Sequence, residues 1–431
     1  MRVSSGMIFD AGVTGINRKT ESLLHLQQQI SAGRRILSPS DDPVAAARAL
    51  ELTQSDDVIK QLTQNQDSAK QTLGLEDGQL ASVGDVLGRI RELAVQAGST
   101  NLSTTSRNGI AVELRSRFSE LLGLANAADG TGQHMFAGYQ GAVQPFGGSV
   151  DNLIAGGEIV YQGDDGQRTL QVAPSRYLEV SDSGNDVFKR IRSGNGYFAT
   201  DYAAGNTGTG VVSAGSVTNP ATWNAATTKN LSLRFTVTGA VTTYDIVDTA
   251  TGNSLLTGGA APAPLASQRT YQSGQPIVLT SQGAEPPFDL GATVGVSGNP
   301  ASGDSFSIAP SSSQSIFKTL ANLIGALETP GGTPAADAKY INELGQALTN
   351  IDQGIDNVLT VRARVGARLN EIESLGSLND SLSLQYQQSL SNLQDLDYAK
   401  AITDLTRNQT DLQAAQQSFI KISQLSLFNY L

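Results

Sequence analysis

Cysteine is absent from the 431 residues, which excludes disulfides, thiolate metal sites, iron–sulfur clusters and cysteine nucleophiles together. Histidine occurs twice and tryptophan once, so imidazole chemistry has only His25 and His134 to draw on. Positive charge is scarce: 29 Lys and Arg stand against 40 Asp and Glu, a net charge of −11. That balance argues against a nucleic-acid binder relying on basic charge. Charged residues total 16%, against about 25% in an average domain, so the polar surface leans on Gln, Asn, Ser and Thr. No run of ~18 apolar residues occurs, so no helix is expected to span a membrane. The start, MRVSSGMIFDAG, lacks the apolar core of a cleavable secretory signal.

Motifs of catalysis are missing as well. The chain holds no HExxH, EF-hand or P-loop pattern, and Gly208-Thr-Gly210 stops short of a dinucleotide fingerprint. The adjacent carboxylates read as a cap at Asp41–Asp42, a solvated face at Asp56–Asp57 and a turn at Asp164–Asp165. His25 falls off the apolar stripe of its helix and is expected in solvent. His134, where helical texture gives way to QHMFAGYQ, is expected to be structural. Neither has triad partners nearby, so no enzyme, cofactor or metal is expected.

What is present is periodicity. Ile16, Leu23, Ile30 and Leu37 fall seven apart with Leu26 between them and Gly33 in register, a narrow stripe of coiled-coil type. In the turn Ser38, Pro39, Asp41, Asp42 and Pro43, Asp42 suits an N-cap and Pro43 a first helical position. A long helix is expected from Val44 towards Leu73 and on to Ala97. Gly74, Gly78, Gly84 and Gly88 weaken it, each costing about 1 kcal/mol relative to Ala. A third helix carries Ile110, Leu114, Phe118, Leu121 and Ala125. Near the other end Leu344, Ile351, Val358, Val365 and Ile372 repeat at seven, and Ile402, Leu405, Leu412, Phe419, Ile422 and Leu425 mark a last helix. Between them lie short β-branched runs bounded by turn residues: a hairpin in LSLRFTVTGAVTTYDIVD, then QPIVLTS, FDLGATVGV and GDSFSIAP. AGNTGTGVVSAGSVTNP reads as low-complexity and is left without structure. Trp223 is expected in the core of this middle part.

The expected fold is mainly α with an inserted β domain: long antiparallel terminal helices in coiled-coil-like layers, plus a central all-β domain. The divisions are 1–40 with 395–431 as terminal assembly segments, 41–131 with 313–394 as a helical bundle, and 132–312 as the outward β domain. The stripe at Ile16, Leu23 and Ile30 is expected to meet that at Leu405, Leu412 and Phe419 when subunits join.

MRVSSGMIFDAGVTGI followed by LLHLQQQISAGRRILSPSDDPVAAARAL resembles the N-terminus of the hook–filament junction proteins, a branch of the flagellin-like family. The proline-flanked SPSDDP followed by Val44-Ala45-Ala46, and the ending DLQAAQQSFIKISQLSLFNYL, are similar to that branch more than to flagellin. GNPASGDSFSIAP resembles a segment near the end of the inserted domain. The resemblance covers residues 1–130 and 313–431. It implies a structural protein of the bacterial flagellum, extracellular and exported without a cleavable signal by the flagellar type III export apparatus after release from an export chaperone. It also implies assembly with hook-associated protein 1, flagellin and further copies of itself, with no nucleic acid and no membrane. The alternatives are a flagellin-type filament subunit and a surface-displayed adhesive module on such a scaffold.

Overall fold

The structure is a computed structural model describing residues 5–99, 102–329 and 331–424. Its helices are α1 (Ser5–Ala32), α2 (Pro43–Ala97), α3 (Thr104–Ala125), α4 (Val150–Ile154), α5 (Pro220–Ala225), α6 (Ile316–Glu328), α7 (Pro334–Gln394) and α8 (Tyr398–Gln424). The chain divides into two compact units. One draws on Met1–Asp67, Gln171–Arg176 and Ile372–Leu431, the other on Ser68–Leu170 and Tyr177–Glu371.

In the first unit α1 and α8 pack along each other. The start of α2 and the last part of α7 are joined where the Ser383 hydroxyl donates to Asp56 Oδ1 at 2.7 Å. The Asn65 and Gln66 amides donate to the carbonyls of Gln171 (2.9 Å) and Val172 (2.7 Å). Asp56 is buried and held by Lys60 at 2.8 Å, so the expectation of a solvated Asp56–Asp57 face is corrected at Asp56. A carboxylate with a hydroxyl and an ammonium beside it tolerates burial.

The second unit holds two cores. In the first, Leu73, Leu80, Val83, Leu87 and Ile90 of α2 and the α7 stripe at Leu344, Ile351, Val358 and Val365 are buried. The four α2 glycines do not interrupt the helix. A buried stripe outweighs a per-residue propensity cost, and a Cβ added at any of the four would point into open space. Beside it Phe317 of α6 meets the rings of Phe118, Phe146 and Phe188 at 5.3–5.8 Å between centroids. His134 Nδ1 lies 2.6 Å from the Asn126 carbonyl, a structural place.

The second core is a two-sheet module. Its strands are β1 (Phe198–Tyr202), β2 (Val211–Val212), β3 (Ser216–Val217), β4 (Leu231–Thr238), β5 (Val241–Asp248), β6 (Arg269–Thr270), β7 (Pro276–Thr280), β8 (Asp289–Ser297) and β9 (Ser305–Pro310). One sheet has the order β6-β5-β4-β9-β1 and the other β7-β8-β2, with β3 also on β8. All these pairings are antiparallel. Phe198, Trp223, Phe235, Ile246, Leu279, Val294 and Phe306 belong to its shared core. The β4–β5 hairpin pairs Thr238 with Val241, and Gly239 in the two-residue turn has φ +59°, as such turns demand.

The stretch expected to be without structure is ordered. Thr207 and Gly208 donate their backbone N–H groups to the Asp304 carboxylate at 2.8 and 3.0 Å, and Val212 N–H donates to Asn342 Oδ1 at 2.9 Å. Those acceptors lie far along the chain, where local composition carries no sign of them.

A row of α7 amides holds the module and the segment leading into it. Asn342 and Gln346, which donates to the Thr200 carbonyl at 3.1 Å, meet the module. Asn350 accepts from Gly194 N–H at 2.9 Å and Asn357 donates to the carbonyls of Asp186 and Val187 in the preceding segment.

Candidate assembly interface

The terminal pair is built residue by residue. The Phe9 and Phe419 rings lie 5.0 Å apart, Lys19 Nζ reaches Asp411 Oδ2 at 3.0 Å, and the backbones at Arg34 and Asp395 pair in an isolated antiparallel bridge. As one number rises the other falls, so α1 and α8 run antiparallel within one chain. Gly12 sits beneath Phe419: a Cβ there would lie 2.7 Å from a ring carbon. Its missing side chain lets the ring close onto the helix.

Gly33 ends α1 with φ +68°, the usual C-terminal conformation for glycine. Leu37 therefore leaves the helical stripe and lies exposed in the turn, correcting the seven-residue register at its last member. The turn is organised by Asp41, whose Oδ2 accepts from the N–H groups of Leu37 and Ser38, both at 2.9 Å. These backbone donors hold the Asp41 carboxyl down at about 2. Ser38 Oγ lies 2.6 Å from Ser40 Oγ. Asp42 Oδ1 caps α2 by accepting from Ala45 N–H at 3.0 Å, with Pro43 the first helical residue. His25 is not a free solvated side chain: its Nε2 lies 3.2 Å from Asp41 Oδ1. One helical turn of reach brings the imidazole over the folded-back turn, a closeness that periodicity along α1 cannot show.

Ile16, Leu23, Leu26 and Ile30 of α1, and Leu405, Leu412 and Phe419 of α8, are half-buried, whereas Ile402 is exposed. Ile422 falls in α8, but its side chain and Leu425 lie outside the described residues, as does the segment 1–4. Apolar side chains off the stripes carry the outward surface of this unit: Met7, Ile8 and Leu24 on α1, Val44 and Leu50 on α2, Leu378 and Leu384 on α7, Ile420 on α8. A single seven-residue spacing does not include them. Their signal was present in doublets such as Leu23-Leu24, which no single narrow stripe can bury. Among the described residues no group of three or more His, Cys, Asp or Glu is arranged to hold a metal ion, and no helix is long and apolar enough to cross a membrane.

Long terminal helices with an antiparallel β module inserted between them in the chain match what known proteins show. The family model for the bacterial flagellin N-terminal helical region matches residues 3–141, and that for the C-terminal helical region matches residues 348–431. The chain is a flagellin-like flagellar protein. It is 26% identical over 432 residues to flagellar hook-associated protein 3 of Escherichia coli K12, covering 99% of each chain. A crystal structure of flagellar hook associated protein-3 from Legionella pneumophila superposes with a TM-score of 0.70 at 32% identity, covering 79% of this chain and 98% of that one. Xanthomonas campestris FlgL gives a TM-score of 0.66 at 30% identity, with 79% and 99% covered. Within the flagellin-like proteins, the chain belongs to the family of hook-associated protein 3, or FlgL, the hook–filament junction protein and a structural component of the flagellum.

Proposed function

We propose that the first unit is where the junction is made, with Ile16, Leu23, Leu26, Ile30, Ile402, Leu405, Leu412 and Phe419 pairing α1 to α8 and the off-stripe apolar residues meeting neighbouring subunits. The turn at Ser38, Pro39, Asp41, Asp42 and Pro43 sets the angle between α1 and α2. On this reading residues 1–40 with 395–431 form the assembly segments, 41–131 with 313–394 a helical layer around them, and 132–312 the outward domain. The partners are hook-associated protein 1, flagellin and further copies of the chain. Export runs through the flagellar type III apparatus after release from a chaperone, the site of action is extracellular, and no catalysis is involved.

The observation that carries this reading is the exposure of Leu24 (53%) and Leu50 (70%) on helices that already have partners in the chain. Monomeric proteins seldom leave several large apolar residues of neighbouring helices in water without a use for them. Leu24→Asp and Leu50→Asp are expected to leave secretion and melting unchanged while abolishing incorporation, seen as naked hooks by electron microscopy of a complemented null strain. Exposed Gln28→Ala is the matched control and is expected to assemble normally. Normal filaments from both Asp variants would overturn the reading.

A further inference from the structure

Glu76 of α2 is 2% exposed, and its carboxylate oxygen Oε2 has no hydrogen-bond partner. The other oxygen accepts from the N–H of Asp182 at 2.9 Å. Asp182 is itself fully buried and takes the Arg368 guanidinium at 2.8 Å and the Gln167 amide at 3.1 Å. The same guanidinium also binds Glu179, so the cation closest to the cluster is shared by two carboxylates other than Glu76. Arg364 stands 3.9 Å from Asp182, Arg168 acts on Glu76 only at longer range, and Asp77, the next α2 residue, has its own partner in Arg362. Three carboxyl groups thus meet where α2, α7 and the chain segment 179–182 come together, and Glu76 is the one without a cation in contact.

We propose that Glu76 is a proton-gated latch: its carboxyl group is held neutral in the folded body, and loss of the proton loosens α2 from the 179–182 segment. A buried carboxylate without a counter-ion beside the Asp182 charge is costly, whereas the neutral acid accepts the Asp182 N–H and leaves only the hydroxyl at Oε2 unpaired, a smaller penalty than an unpaired charge. Burial first, and the Asp182 charge second, push the group up to about 8. The sign follows from the proton count. Between the ordinary glutamate range and about 8 the folded chain keeps a proton that the unfolded chain has lost, so stability falls as pH rises through that window and is lowest above it.

The test uses the full chain. Carbon-13 NMR of labelled glutamate carboxyls is expected to show one side chain still protonated at neutral pH, and Glu76→Gln is expected to remove that signal. In denaturant titrations the unfolding constant of the native chain relative to Glu76→Gln is expected to rise by about tenfold per pH unit through the window. If every glutamate titrates in the ordinary acidic range, or the two chains keep parallel stability profiles, the latch is overturned. Should Glu76→Gln fail to fold, the NMR titration of the unaltered chain decides alone.

Discussion

The two units use the same seven-residue spacing to different ends. In the second, Ile351 and Val365 are fully buried, and Phe317 of the mostly apolar α6 sits among aromatic rings. In the first, Leu23, Leu26, Leu405 and Leu412 are only half-covered, and the buried apolar residues Ile59, Leu62, Val172 and Ile372, with alanines 45, 49 and 401, include no aromatic ring. A heptad stripe states only that a face wants a partner. How many partners it finds depends on how many helices surround it. The second unit surrounds its stripes with α3, α6 and its own parts of α2 and α7, whereas in the first α1 and α8 pack chiefly on each other.

The contrast is broken most forcefully at the ring cluster. Phe317→Ala removes a fully buried ring with three aromatic neighbours, and chemical denaturation is expected to register a loss of about 3–5 kcal/mol. Leu412→Ala, the same kind of truncation at a half-buried position, is expected to cost only about 1 kcal/mol in the monomer, scaled from the burial of one aliphatic side chain. An equal loss at both positions would remove the distinction between the units. The smallest effect is expected at the turn. Because the folded Asp41 carboxyl is depressed to about 2, its hold on Leu37 and Ser38 is complete above the ordinary aspartate range and lost as pH falls through about 2. Protection of those two turn amides from exchange, relative to the free amide rate at each pH, should fall over that interval, while that of α1 stays unchanged.

Much of this was legible beforehand because it is local. The Asp42 cap with Pro43 depends on a few consecutive atoms, the β4–β5 hairpin on a two-residue turn, and the α7 stripe on spacing alone. The amide row at Asn342, Gln346, Asn350 and Asn357 recurs at helical spacing too, yet spacing gives it no meaning. An apolar face needs burial wherever it stands, whereas an amide has a use only when a backbone group from elsewhere arrives beside it.

The sequence by itself therefore determined the long helices, the capped start of α2, the β insert and the kinship with flagellin-like proteins, since each rests on near neighbours in the chain. Only the tertiary structure decided what lies between distant residues. It folded α8 back along α1 so that Phe419 closes over Gly12, drew His25 to Asp41, and ordered the glycine-rich stretch around Asp304. It also placed Glu76 beside Asp182 with its counter-ions spent elsewhere. Burial and charge balance are sums over everything nearby in space, and those sums are formed only when the chain has folded.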